Sequence, residues 1–144
     1  MRRIIFMSQE RAEQYAPSFD DAIISITGQE PQYQGLAKLS SAFADGSILR
    51  LQFDDVGEVK GISRWTPMRM SDAHLILEFA DKHQGCRDLI IHCLHGKSRS
   101  YSIATALGEI YQVPIEGYAE PLLNNLIYAR IHLAEQSRKV SNDT

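Results

Sequence analysis

The stretch that decides the fold runs from residue 89 to residue 112 and reads LIIHCLHGKSRSYSIATALGEIYQ. It opens with the apolar run Leu89–Ile91, which has the length and composition of a buried strand. From Ser98 to Gln112 apolar residues recur at helical spacing, and Pro114 ends the helix that this pattern predicts. The stretch therefore predicts a strand, a tight loop and a helix in direct succession.

Short apolar strands and amphipathic helices alternate along the rest of the chain as well. This alternation is typical of a single α/β domain, spanning residues 1–144, with a mostly parallel central sheet flanked by helices. In such sheets ligands bind beyond the carboxyl ends of the strands. The other predicted strands are Arg3–Met7, Ala22–Thr27 and Ser47–Phe53. The other predicted helices are Ser8–Ala16, Leu36–Phe43, Ser71–His83 and Glu120–Arg138, and the predicted loops are Gln29–Gln34 and Val56–Met68.

Composition narrows the classes of protein that this chain can represent. It has 144 residues, 44% hydrophobic and 23% charged, which is ordinary for one globular domain. A net charge of -3 without a basic stretch argues against nucleic-acid binding. No apolar run is long enough to cross a membrane or to serve as a secretory signal. The two cysteines, Cys86 and Cys93, fit a reducing compartment, so the prediction is a cytoplasmic protein whose oligomeric state stays open.

The loop between the predicted strand and helix has the composition of an anion-binding cradle. A short loop entering a helix turns backbone N–H groups toward one point, and the helix N-terminus adds partial positive charge. Gly96 permits the tight backbone conformation that such a cradle requires. The residues predicted to surround a bound phosphate group are Leu94, His95, Gly96, Lys97, Ser98 and Arg99.

Four side chains at the ends of this loop have candidate chemical roles. Cys93 is the candidate nucleophile, because a thiolate is reactive and thiols at helix N-termini ionise readily. The planar fork of Arg99 can hold two oxygens of a phosphoryl group. The hydroxyl of Ser100 can donate to the sulfur and help it leave, whereas the ring of His92 is expected to orient the loop.

Residues 92–100, His-Cys-x5-Arg-Ser, resemble the signature of the superfamily of protein tyrosine phosphatases and dual-specificity phosphatases. The motif covers nine residues, and its strand–loop–helix context extends the resemblance to roughly Ile48–Tyr111. The resemblance implies a phosphatase catalytic domain that works through a cysteinyl-phosphate, without metal or other cofactor. The implied partner is a phosphorylated protein or peptide, and phosphate-like anions are expected to bind in the loop.

The resemblance also implies a general acid, because the family has an aspartate on a loop after an earlier strand. Here the predicted strand Ser47–Phe53 runs into Asp54 and Asp55. Asp55 is the candidate acid and Asp54 the reserve, since the family's second acidic position carries the proton. The alternative is that both aspartates only cap a turn. Gly57 and Gly61 in the following loop would allow it to close over the site.

Other interpretations of the same residues stay open at this point. Lys97 suits a strongly anionic substrate, so a phosphoinositide or small-molecule phosphatase is an alternative to a phosphotyrosine or dual-specificity enzyme. A sulfurtransferase or a non-catalytic phosphate-binding module could use a similar cradle. Cys86 is interpreted as an apolar filler, with a reversible disulfide to Cys93 as the alternative. The scattered histidines do not complete a metal shell, even if His92 and His95 flank Cys93.

Overall fold

The computed structural model describes residues 1–28, 36–58, 65–117 and 120–142. Within them, the described strands form one five-stranded sheet in the order β3-β2-β4-β1-β5, and every pair of neighbours is parallel. The predicted α/β class with helices flanking the sheet is confirmed, and the sheet is wholly parallel. The elements in chain order are β1 Arg3–Ser8, α1 Gln9–Gln14, β2 Ala22–Thr27, β3 Ile48–Gln52, α2 Met70–Lys82, β4 Asp88–Cys93, α3 Arg99–Tyr111, β5 Ile115–Gly117 and α4 Asn125–Asn142.

The two faces of the sheet bury unequal amounts of apolar surface. Alternate residues of a strand point to opposite faces, so Ile4 and Phe6 of β1 join one cluster while Ile5 and Met7 join the other. The larger cluster lies under α2, α3 and α4. The smaller one lies under α1 and also includes Phe43, from the segment between β2 and β3. Because each fully buried aliphatic side chain contributes roughly 1.5–3 kcal/mol, the larger cluster supplies most of the hydrophobic stabilisation.

The parallel arrangement brings the predicted site residues to one edge of the sheet. Strand β4 lies at the centre, between β2 and β1, and ends at Cys93. Strand β3 lies at the edge of the sheet and ends at Gln52, two residues before Asp54. All strands run in the same direction, so both ends face the side on which parallel sheets bind ligands.

Three predictions about secondary structure are wrong. Leu36–Phe43 is not helical; Ala37 and Phe43 are buried, and the Ser40 Oγ accepts a hydrogen bond from a backbone N–H in a local turn. The last helix starts at Asn125 rather than Glu120. Helix α1 ends two residues before the predicted end at Ala16, and the short strand β5 was not predicted at all.

The remaining boundaries agree with the sequence patterns to within a few residues. Ser8 is the predicted N-cap of α1, and its Oγ accepts from the Arg11 N–H at 3.2 Å. The predicted loop Gln29–Gln34 lies outside the described residues, and so does Gly61, one of the two glycines expected to let the loop after Asp55 close. None of the described helices is long and apolar enough to span a bilayer.

Candidate active site

The loop that follows β4 packs closely against the junction of β1 and α1. Gly96 has φ of +70°, a left-handed conformation that glycine adopts without strain. A Cβ at this position would come within 2.5 Å of the Met7 carbonyl carbon and the Ser8 nitrogen. The Gln9 N–H also donates to the Leu94 carbonyl at 3.3 Å. The loop therefore requires glycine for both its conformation and its close packing.

The sulfur of Cys93 lies at the base of this loop with only 2% of the residue exposed. The Ser100 Oγ lies 3.2 Å from the Sγ, and the Ser100 backbone N–H donates to the same sulfur at 3.5 Å. Both contacts come from the first turn of α3, whose N-terminus is oriented toward the sulfur. The predicted pairing of Cys93 with the Ser100 hydroxyl is present in the structure.

Arg99 connects the loop to the carboxyl end of β3. The residue is 8% exposed, and its Nη1 donates to the Phe53 carbonyl at 2.8 Å. A guanidinium carries five N–H donors, so this bond leaves others available to an anion in the loop. The contact also brings the loop next to the segment that carries Asp54 and Asp55.

The two aspartates occupy different environments. Asp54 is buried, and its Oδ2 accepts from the Thr66 N–H at 2.8 Å, so it anchors the returning end of the long loop. Asp55 is exposed, and its Oδ1 accepts from the Ser98 Oγ at 3.0 Å and from the Asn124 Nδ2 at 2.7 Å. Asp55 is therefore the aspartate that lies against the loop after β4.

His92 bonds to the neighbouring strand. Its Nε2 lies 2.6 Å from the Ser25 Oγ of β2, and the ring is completely buried. Burial lowers the pKa of His92 to about 4. The ring is therefore neutral at physiological pH and fixes the end of β4 against β2, one residue before Cys93.

Three of the predicted catalytic residues, Cys93, Arg99 and Asp55, line a common cavity of about 440 Å³. One wall, formed by Glu120, Pro121 and Leu122, was not identified from the sequence. This segment is held in place because the Leu122 N–H donates to the Lys97 carbonyl at 2.8 Å. Leu122 is 69% exposed, so an apolar group faces the solvent beside the loop. The cavity is lined by Asp55, Cys93, His95, Lys97, Ser98, Arg99, Glu120, Pro121 and Leu122.

The second cysteine lies away from this cavity. Cys86 belongs to the larger apolar cluster, and burial raises the pKa of its thiol. It precedes β4 whereas Cys93 ends it, so at about 3.3 Å per residue the two lie roughly 20 Å apart. A disulfide requires Cα atoms within about 7 Å, so the geometry favours the interpretation of Cys86 as an apolar filler.

Two further observations concern metals and known proteins. Within the part of the chain that the structure describes, no group of three or more His, Cys, Asp or Glu side chains could hold a metal ion. No protein-family model matches the chain, and a search of curated proteins finds no match either.

Proposed function

We propose that this protein is a cysteine-dependent phosphatase that hydrolyses phosphomonoesters, above all phosphotyrosine in proteins or peptides, through a cysteinyl-phosphate. The observation that carries the proposal is the shared cavity of Cys93, Arg99 and Asp55. A nucleophile, an anion clamp and a proton donor around one space are the groups that phosphoryl transfer needs.

In the first step the thiolate of Cys93 attacks phosphorus while the bond from phosphorus to the ester oxygen breaks. Arg99 and the N–H groups of the loop stabilise the negative charge on the phosphoryl oxygens. The departing oxygen takes the proton of Asp55, and the alcohol or phenol leaves. The products of this step are a cysteinyl-phosphate and an Asp55 carboxylate.

In the second step a water molecule attacks the phosphorus of the cysteinyl-phosphate. The Asp55 carboxylate takes one proton from that water, which restores the acid for the next cycle. The phosphorus–sulfur bond breaks, and inorganic phosphate and the thiolate are released. The Ser100 hydroxyl, 3.2 Å from the sulfur, stabilises the thiolate as it departs.

The wall of the cavity supports an aromatic phosphomonoester as the substrate. Pro121 and the exposed Leu122 offer apolar surface to the ring of phosphotyrosine. The carboxylate of Glu120 on the same wall would repel the additional phosphates of a phosphoinositide. Lys97 and His95, both exposed, are compatible with either class of substrate.

The test is turnover of p-nitrophenyl phosphate and of a phosphotyrosine peptide, without added metal and with reductant present. We expect wild type to be active and Cys93→Ser to be inactive while still binding vanadate. Cys86→Ser is the matched control, since that cysteine lies outside the cavity, and it should keep wild-type turnover. Asp55→Asn should lose about 10²-fold or more on the phosphotyrosine peptide.

Two outcomes would redirect the assignment. A wild-type protein that binds vanadate but hydrolyses neither substrate would exclude a phosphotyrosine phosphatase, and phosphoinositides or a purely binding role would then be tested. Activity that survives Cys93→Ser would exclude the cysteinyl-phosphate route altogether.

A further inference from the structure

We propose that Asn124 is the positioning residue that fixes the carboxyl group of Asp55 for proton transfer, an inference that rests on the proposed phosphatase activity. Asn124 immediately precedes α4 and is only 5% exposed. It lies 69 positions from Asp55 in the chain, yet the two side chains are in direct contact.

Both the nitrogen and the oxygen of the Asn124 side-chain amide form hydrogen bonds. The Nδ2 donates to the Asp55 Oδ1 at 2.7 Å and to the Val56 carbonyl at 3.2 Å. The Oδ1 accepts from the Ile127 N–H at 3.1 Å, as an N-cap does. Because a backbone N–H can only donate, the atom facing Ile127 must be the amide oxygen, so the amide nitrogen must face Asp55.

Asn124 also closes a ring of hydrogen bonds with the phosphate-binding loop. Its backbone N–H donates to the Ser102 Oγ at 2.7 Å, and that hydroxyl donates to the Ser98 carbonyl at 2.7 Å. The Ser98 hydroxyl in turn donates to the Asp55 Oδ1 at 3.0 Å. The ring joins the aspartate loop, the start of α3 and the start of α4, so it couples the position of Asp55 to that of the loop after β4.

The ring determines which oxygen of Asp55 carries the transferable proton. The amide nitrogen of Asn124 is a donor and cannot accept, so a proton on Oδ1 would oppose it. The Ser98 hydroxyl donates to the same oxygen. Among the described residues no donor contacts Oδ2, which is therefore the oxygen that carries the proton to the leaving group. Asn124 holds the acid in the orientation that this transfer needs.

The test is the leaving-group dependence of kcat/KM for a series of aryl phosphates in wild type and in Asn124→Asp. Aspartate caps a helix as well as asparagine and keeps the backbone N–H, but its ionised carboxylate only accepts and so cannot donate to Asp55. Asn125→Asp is the matched control, because it makes the same chemical change at the exposed neighbouring position.

We expect Asn124→Asp to lose about 10- to 100-fold on phenyl phosphate, whose leaving group needs a proton. On difluoromethylumbelliferyl phosphate, whose leaving group departs as an anion, it should stay within about threefold of wild type. A purely structural role for Asn124 would reduce all substrates by the same factor, and that result would overturn the inference while leaving the phosphatase assignment intact. A wild-type protein that hydrolyses no aryl phosphate would overturn both.

Discussion

Replacing Gly96 with alanine tests whether the loop after β4 depends on its packing against the β1–α1 junction. The added Cβ would lie 2.5 Å from two backbone atoms, whereas ordinary contacts begin at 3.4 Å, so the loop must withdraw by about 0.9 Å. The clashing atoms belong to the backbone of Met7 and Ser8 and cannot rotate away. A displacement of about 1 Å in a catalytic group costs on the order of 10²-fold in rate.

Gly96→Ala should lower the free energy of unfolding for two reasons, and substitutions at two other glycines measure these reasons separately. Alanine at positive φ costs about 1–2 kcal/mol, and overpacking adds about 1–3 kcal/mol. Gly46 has φ of +79°, but an alanine Cβ there would have no heavy atom within 4 Å, so Gly46→Ala incurs only the first cost. Gly85 has neither a positive φ nor a close neighbour, so Gly85→Ala should leave stability unchanged or slightly raised.

The assay combines urea unfolding followed by circular dichroism with kcat/KM on p-nitrophenyl phosphate. Gly96→Ala should be destabilised by about 1–3 kcal/mol more than Gly46→Ala and should lose about 10²-fold in kcat/KM. Gly46→Ala and Gly85→Ala should keep wild-type kcat/KM. The packing argument is refuted if Gly96→Ala unfolds at the same urea concentration as Gly46→Ala and retains its activity.

Three further substitutions test individual contacts of the site. Arg99→Lys should lower kcat/KM by about 10²-fold or more with little change in fold, because lysine lacks the planar fork that holds two phosphoryl oxygens while also bonding the Phe53 carbonyl. Unchanged kcat/KM would contradict the role of Arg99 as the anion clamp. Ser100→Ala should slow release of the Cys93 thiolate, so that rapid mixing shows a burst of phenol followed by a slower steady state; the absence of a burst at reduced kcat would contradict this role. The third concerns pH: His92 has a pKa of about 4 in the folded protein against 6.5 unfolded, so below pH 6.5 the unfolded state gains a proton that the folded state does not. The free energy of unfolding should therefore fall by roughly 3 kcal/mol between pH 6.5 and 4 because of His92. Urea unfolding at several pH values should show that His92→Asn lacks this part of the decrease. The same pH dependence in wild type and variant would contradict the argument that burial keeps His92 neutral.

The features that the sequence predicted well are those set by neighbouring residues. The strand, loop and helix around Cys93 are contiguous, so their periodicity and the loop glycine suffice to predict them. The location of Asp55 at the same edge follows from the direction of parallel strands. Both predictions needed only local pattern and one rule of topology.

The features that escaped prediction depend on contacts between distant parts of the chain. Strand β5, Ile115–Gly117, has three residues, too few for a period, and it forms by pairing with β1. The apolar spacing of Leu36–Phe43 resembles a helix, but Leu39 and Phe43 pack on the smaller face of the sheet instead. The contact of Asn124 with Asp55 spans 69 positions and has no local signal.

The positions of β4 and β3 in the sheet determine the order in which the parts of the site would unfold locally. Cys93, the proposed nucleophile, ends the central strand, which is paired on both sides, whereas Asp55, the proposed acid, follows an edge strand paired on one side only. Edge elements open at lower free energy than central ones, so mild denaturant releases the acid before the nucleophile. On the proposed mechanism, such a partly opened molecule would keep Cys93 and the loop that follows it, and it would act only on esters whose leaving groups need no proton.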